Sequence, residues 1–418
     1  MNALLKSATI VDSKSDFHNE NVDILIENGT ITKISKRISN PDNYPEIKLE
    51  NLHVSRGWFD SSVSLGEPGF EERETISNGL KVAAQSGFSA VAMNANTNPV
   101  LDSNADIAFA LAKANGSACQ LKPIGALTKN SESVDLAELF DMKNAGAVAF
   151  YDYQTPIKNP NLLKIALQYA SNFDGLVLSF PQESQISGKG VMNENVNSTT
   201  LGLKGNPALA EELQIARDLF LLEYTGGKLH IPTISTAKSV ELISNAKAKK
   251  LDVTCSVAIH NLLFTDDKLL DFDTNYKVLP PLRTQNDVDA IIEGLKDGTI
   301  DMVTTDHNPI DVEHKNVEFD HAKYGTIGLE SAFGALQTLF STKKTIGLLT
   351  KGKARFGVEE SSISVGARAD ISLFNPEGKI TFTKEHIKST SKNSAFLGTE
   401  LKGKVYGVIA NNKIEISE

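Results

Sequence analysis

The groups in this chain with the capacity for acid–base or metal chemistry are scattered, but several fall at the ends of apolar runs. Thr305-Asp306-His307 offers a carboxyl as a candidate general base beside an imidazole. Asp60 precedes two hydroxyls, Ser62 and Ser64. His230 and His260, with Asp152, Asp306 and Glu183, could compose an improvised metal site, because imidazole and carboxylate are the usual ligands of a divalent ion. Ser62 or Ser64 as a nucleophile would need a His and an Asp aligned on it, and no such arrangement is legible. Each group also has a plainer reading. Asp60 would accept hydrogen bonds from neighbouring backbone, Asp306 would cap its loop, and His307 would orient backbone. His314 and His321, set among Asp311, Glu313, Glu318 and Asp320, read as a solvated loop face.

The elements that must position these groups follow from hydrophobic periodicity. Candidate strands end near Asp60, Met93, Ala126, Phe150, Phe180, Ile231, Val257 and Thr305, each followed by a loop and a helical pattern. Helices are expected over 72–86, 134–145 and 207–224, closing at Gly87, Gly146 and Gly226, since glycine just past the last turn is the usual stop. Eight strand–helix units suit a (β/α)8 barrel, an α/β fold whose chemistry sits at the C-terminal ends of its strands. An open doubly wound sheet is the alternative, but no G-x-G-x-x-G or P-loop pattern supports it. Short alternating runs at 8–11, 22–26 and 31–34, with Asn28-Gly29 as a hairpin turn, match others at 370–374, 379–382, 405–409 and 413–416. Neither end has apolar surface enough for a core alone. The expectation is one composite β-sandwich from residues 1–53 and 357–418, beside a barrel of residues 54–356.

The chain has 418 residues, 40% of them hydrophobic, which excludes a disordered or fibrous protein. Its 42 basic and 52 acidic residues leave a net charge of −10, unsuited to nucleic acid or an anionic membrane surface. No apolar stretch reaches the roughly 18 residues a membrane span needs. The opening Met1-Asn2-Ala3-Leu4-Leu5-Lys6 lacks a secretion signature, so a cytoplasmic location is expected. Cys119 and Cys255, far apart in apolar settings, read as buried free thiols of a reducing compartment.

Several segments together resemble the dihydroorotases, cyclic-amide hydrolases of the amidohydrolase superfamily, in the long bacterial type also found within multifunctional pyrimidine enzymes. They are Leu65-Gly66-Glu67-Pro68-Gly69, Asn96-Thr97-Asn98-Pro99, the stretch 122–129, the stretch 145–150, Val191-Met192-Asn193-Glu194, Pro280-Pro281-Leu282-Arg283, Thr305-Asp306-His307 and Gly328-Leu329-Glu330. Their order and spacing carry the likeness over nearly the whole chain. The resemblance implies a TIM barrel of the amidohydrolase type with a small composite β-sandwich. It also implies zinc, which polarises the amide carbonyl and supplies hydroxide by lowering the pKa of bound water to about 7, while an aspartate after the last strand moves the proton.

Against that pattern the expected ligands are missing. The resemblance predicts histidines at 62 and 64, where Ser62 and Ser64 stand; a carboxylate or lysine where Tyr153 stands, with Asp152 beside it; and histidines where Phe180 and Thr233 stand. Of the ligand set only Asp306 remains. Hydroxyls are weak zinc ligands unless deprotonated, and a phenyl ring is none. His230 lies three positions before the expected ligand, so its side chain is expected to face away from the barrel axis. Gly66 replaces the arginine that would clamp a substrate carboxylate, Leu279 a usual asparagine and Ile310 a histidine, while Asn98, Arg283 and His307 are kept as vestigial substrate contacts.

Three functional readings follow. The first is a catalytically silent dihydroorotase homologue with no cofactor and Asp306 as a vestigial base. It would persist as a partner of a pyrimidine-pathway enzyme such as aspartate carbamoyltransferase, or as a homo-oligomeric scaffold. The second is a working cyclic amidohydrolase, turning dihydroorotate and water into carbamoyl aspartate at a non-standard site around Asp152, Asp306 and His307. The third is a module that holds an anionic pyrimidine precursor through Asn98 and Arg283 without hydrolysing it.

Overall fold

Five strands form before any long helix in the computed structural model, which describes residues 1–417. They are β1 (Ala3–Ile10), β2 (Asn21–Glu27), β3 (Thr30–Ser35), β4 (Glu46–Ile47) and β5 (His53–Arg56). Asn28 and Gly29 both take positive φ, 52° and 76°, the backbone that a tight hairpin between right-twisted strands requires. Ten strands follow in the strand–helix region: β6 (Trp58–Val63), β7 (Phe88–Met93), β8 (Gln120–Gly125), β9 (Ala149–Phe150), β10 (Leu176–Leu178), β11 (Met192–Asn193), β12 (Gly205–Asn206), β13 (Lys228–Ile231), β14 (Val253–Ala258) and β15 (Met302–Thr304). The C-terminal stretch adds β16 (Ile371–Thr381), β17 (Glu400–Ala410) and β18 (Lys413–Ile416).

These strands make two large sheets. One is parallel and runs β6-β7-β8-β9-β10-β13-β14-β15, with helices in the crossovers; β11 and β12 pair only with each other. It is a nearly closed eight-stranded barrel. The other is a mixed sheet built from both termini, in the order β18-β17-β16-β5-β1-β2-β3, with β4 paired to β1. The first and last barrel strands share no continuous ladder. Their seam is a single bridge between Val63 and His307, with the Ser64 N–H on the His307 carbonyl at 2.7 Å. Side chains complete it, as the Thr304 and Thr305 hydroxyls and the Thr305 N–H (3.0 Å) all donate to the Asp60 carboxyl.

Alternate strand residues sort into two cores. Leu229, Ile231, Cys255, Val257 and Val303 face the helices. Phe59, Ala90, Ala92, Ile124, Ala149, Tyr151, Leu176, Leu178 and Met302 fill the barrel interior, with Phe356 packed among them. Trp58 joins barrel and sheet: wholly buried, it stacks on Phe333 at 5.1 Å, contacts Phe374 of β16 at 5.7 Å, and donates from Nε1 to Ser55 Oγ. Residues of the β16–β17 connection also reach the barrel mouth. Asn393 Nδ2 donates to the Asn308 and Gly325 carbonyls, and Thr390 donates to Glu74.

Helix starts lie later in the chain than periodicity suggests. The 72–86 helix is Ile76–Gln85, because Thr75 caps Asn78 and the preceding residues form a loop tied by Glu67 to the Ile76 N–H. The 134–145 helix is Leu139–Ala145, since Leu136 bridges back to Thr128. The third is Ala208–Thr225, close to expectation. The runs at 370–374 and 379–382 belong mostly to one bulged strand, β16. Both cysteines are free and buried.

Replacing Trp58 with alanine would leave a large cavity at the junction of barrel and sheet. The expected result is destabilisation by about 3–5 kcal/mol in urea unfolding; a loss under about 1 kcal/mol would mean that this junction is not a shared core.

Candidate active site

At the C-terminal end of the barrel the polar groups converge on Asp306, which lies two residues past the end of β15 and adopts a positive φ of 46°. Its Oδ1 accepts from Ser62 Oγ at 2.9 Å and from the Tyr153 hydroxyl at 3.1 Å. Asn94, just past β7, donates from Nδ2 to both Ser62 Oγ (3.1 Å) and Ser64 Oγ (3.2 Å). Gln154 donates to the Tyr153 hydroxyl at 3.2 Å and to the Leu279 carbonyl at 2.9 Å, tying the β9 end to the loop above it. All of these but Gln154 are buried, and Phe180 is 1% exposed. The mouth is thus a hydrogen-bonded cluster beside a buried apolar group that includes Phe180, Tyr151 and Leu279.

Burial sets the electrostatics. A carboxyl taken out of water resists ionisation, so Asp306 is pushed up to about 7, against the opposing pull of its two hydroxyl donors. Burial and the nearby Asp306 carboxyl raise Tyr153 and Tyr151 well above the ordinary phenol value. Asp60 is raised by burial, with four donors opposing. The buried imidazoles go the other way: His307 is lowered to about 4, His260 to about 3, and His230 well below its usual value.

These donors do not fit a zinc ion. Ser62, Ser64 and Thr233 offer hydroxyls, Tyr153 a phenol held in its protonated form, Phe180 nothing, and Asp306 one carboxyl already bonded to two hydroxyls. Among the described residues no three His, Cys, Asp or Glu side chains stand close enough to share a metal. The improvised ligand set is dispersed. Asp152 accepts from the Leu127 and Thr128 N–H groups at 2.9 and 3.0 Å, and Glu183 caps the short helix Ser184–Ser187. His260 is buried with neither ring nitrogen hydrogen-bonded.

His230 corrects an expectation. Its ring faces into the barrel, bonded to Thr254 Oγ1 (2.9 Å) and Ser256 Oγ (3.1 Å) of β14 and set against Phe356. Strand parity held only as far as Ile231. Thr233, at a φ of 50°, has already left the strand, so alternation does not carry across the three positions.

The remaining candidates take framework positions. Arg283 is buried, and its guanidinium donates to Ser235 Oγ (3.0 Å), Asn193 Oδ1 (2.8 Å) and the Asn206 carbonyl (2.8 Å), locking the β11–β12 excursion to the loop after β13. His307 accepts the Gly328 N–H on Nδ1 at 3.2 Å, as a backbone-orienting residue does, with Nε2 unpaired. Asn98 is exposed on a turn packed against Gly69, where an added Cβ would lie 2.1 Å from the Asn98 carbonyl. At Gly66 an added Cβ would lie 2.0 Å from the Phe70 carbonyl, so this loop has closed over the space a longer side chain would need. Sequence reading missed Asn94, Gln154, Thr304 and Thr305. Their one signal was position at a strand end, which many inert residues share.

A dihydro-orotase-like family model matches residues 53–239. The chain is 40% identical to a dihydroorotase of Pelotomaculum thermopropionicum, covering 100% of this chain and 99% of that one. It is also 40% identical to a dihydroorotase of Acetivibrio thermocellus, covering 99% of each. Among solved structures it is similar in fold to an L-hydantoinase (dihydropyrimidinase) of Arthrobacter aurescens, with TM-score 0.84 at 20% identity over 99% of this chain and 98% of that one. A D-hydantoinase of a Thermus species gives 0.82 at 20% identity, over 99% and 95%.

Between the ordinary aspartate value and about 7, folded Asp306 holds a proton that the unfolded chain has released, so stability falls as pH rises through that window. Asp306→Asn keeps a side chain of similar shape and removes the titration. Its stability relative to the unsubstituted protein should rise by on the order of 3 kcal/mol between pH 4 and 8. Parallel urea-unfolding profiles for the two proteins would show that Asp306 ionises freely.

Proposed function

Since the chain belongs to the dihydroorotase family, we propose that it is a dihydroorotase-like protein that has given up zinc-dependent hydrolysis and serves as a structural or regulatory partner in the pyrimidine pathway. Aspartate carbamoyltransferase, which makes carbamoyl aspartate, is the partner the family resemblance favours. The observation that carries this reading is the Ser62–Asp306–Tyr153 cluster: the one surviving carboxyl of the implied ligand set is bonded to two groups standing where other ligands would be. Water without a bound cation is a poor nucleophile toward an unstrained amide, and lone hydroxyls do not recruit the cation. The closed loop at Gly66 and the burial of the Asp306 cluster support the same reading.

One observation favours a working hydrolase instead. Asp306, raised to about 7, would be suited by its acidity to exchange protons near neutral pH. A precursor-binding module is less supported, since the Arg283 donors it would use are taken by Ser235, Asn193 and Asn206.

Metal content and dihydroorotate hydrolysis should be measured on one purified sample, with and without added zinc. The expected outcome is well under one zinc per chain and no turnover in either condition. Turnover that Asp306→Asn abolishes would replace the silent reading with the hydrolase. For the partner role, the same organism's aspartate carbamoyltransferase should co-purify with this chain and lose thermal stability without it; independent behaviour of the two would remove that role.

A further inference from the structure

A cleft of about 540 Å³ lies between the end of the helix Gln285–Asp297 and the helix Thr342–Thr350. Ile300 and Asp301, which border it, lead directly into β15, so it stands at the opposite end of that strand from Asp306. The buried Leu295, Ile300 and Leu348 line it from within. Lys343, Lys344 and Lys351, all on the second helix or at its end, stand around it. The chain carries a net charge of −10, so three ammonium groups gathered on one apolar cleft run against its overall balance.

These cations have no counter-ion of their own. Among the described residues Lys343 and Lys351 pair with no carboxylate, and Lys344 Nζ donates to the Lys296 carbonyl at 3.4 Å. The two carboxyls on the rim are engaged elsewhere, Asp301 with Lys247 at 2.6 Å and Glu360 with both Lys14 and Arg56 at 2.6 Å. Burial and the Lys351 ammonium lower Lys344, with Asp297 opposing. Lys343 and Lys344 also occupy the first turn of their helix, the positive end of its dipole, where a cation is disfavoured and no acidic residue compensates. Gly347 borders the cleft from mid-helix, where glycine weakens a helix, yet an added Cβ would meet nothing within 4 Å. Both choices go against local preference, and no contact within the fold requires either. A bound anion with an apolar body accounts for both: it needs the cations, and it needs the space that glycine leaves open. Separate ammonium groups, each a compact point charge, suit a multiply charged phosphate better than a planar carboxylate.

We propose that this cleft binds a small phosphate monoester with an apolar body, the three lysines holding the phosphate and Leu295, Ile300 and Leu348 the body. The overall charge of −10 opposes an anionic membrane surface, so the ester is a free molecule and not a lipid headgroup. The site lies away from the barrel mouth and does not depend on what happens there.

Titration calorimetry on the purified full chain at low salt, with phenyl phosphate, inorganic phosphate and benzyl alcohol as probes, tests the site. Phenyl phosphate should bind once per chain, about tenfold or more tighter than inorganic phosphate because its ring leaves water, and benzyl alcohol should not bind. Lys343→Gln with Lys351→Gln removes two exposed cations and should weaken phenyl phosphate by about tenfold, with unchanged circular dichroism. Gly347→Leu should fill the cleft and weaken the same probe by a separate route, without lowering the melting temperature. This second variant keeps the test decisive if the lysine variant misfolds. Phosphatidic acid vesicles should not co-sediment with the chain. The proposal is overturned if phenyl phosphate fails to bind, if it binds no tighter than either other probe, or if either folded variant keeps the parent affinity. Co-sedimentation with the vesicles would overturn the free ester in favour of a lipid headgroup.

Discussion

Two carboxyls buried at one seam organise the barrel mouth. Closing eight strands leaves β6 and β15 with a single backbone bridge, so their side chains must supply the rest of the joint. Asp60 takes the Thr304 and Thr305 hydroxyls across that seam, and Asp306 takes Ser62 from the opposite direction. A buried carboxyl without donors is costly, and hydroxyls are the smallest groups that can satisfy one without bringing further charge. The Ser62 and Tyr153 hydroxyls, standing where the resemblance implies an imidazole and a carboxylate or lysine, thus satisfy Asp306 in its buried site. Its raised acidity is the same fact seen electrostatically.

The family relation and a mouth lined by hydroxyls and aromatic rings are compatible, because scaffold and mouth are written on different faces of the same strands. Residues facing the helices, such as Leu229, Val257 and Val303, determine whether the barrel forms. Residues facing inward near the C-terminal ends decide what the mouth can bind. Alternation keeps the two sets apart, so one can change while the other is held by packing. Ser62, Tyr153 and Phe180 belong to this second set, at buried positions that the scaffold needs filled.

Much of this was legible from local pattern. The expected strand ends fall within three residues of those observed for all eight barrel strands, because period-two alternation and turn residues act over a few neighbours. The hairpin at Asn28-Gly29 and the left-handed stop at Gly146 were legible for the same reason. Less was legible where distant segments meet. Arg283 looked like a binding residue and proves to be a buried clamp, since its partners at Asn193, Asn206 and Ser235 lie far off in sequence. His230 reads outward by counting and points inward, because the count crosses a residue that has left the strand. Asn393, which sits on the barrel mouth, lies between two strands of the other sheet.

The amino-acid order alone determined the architecture, the family likeness, and the absence of imidazole from the positions where the likeness expects it. Each is a matter of residue type at a spacing, and spacing is a local property of the chain. Only the tertiary structure decided that Asp306 is enclosed by Ser62 and Tyr153, that Gly66 leaves no room for an arginine, and that Asn98 lies exposed. Enclosure and exposure depend on which remote segments come to rest beside a group, and that is settled by packing in three dimensions.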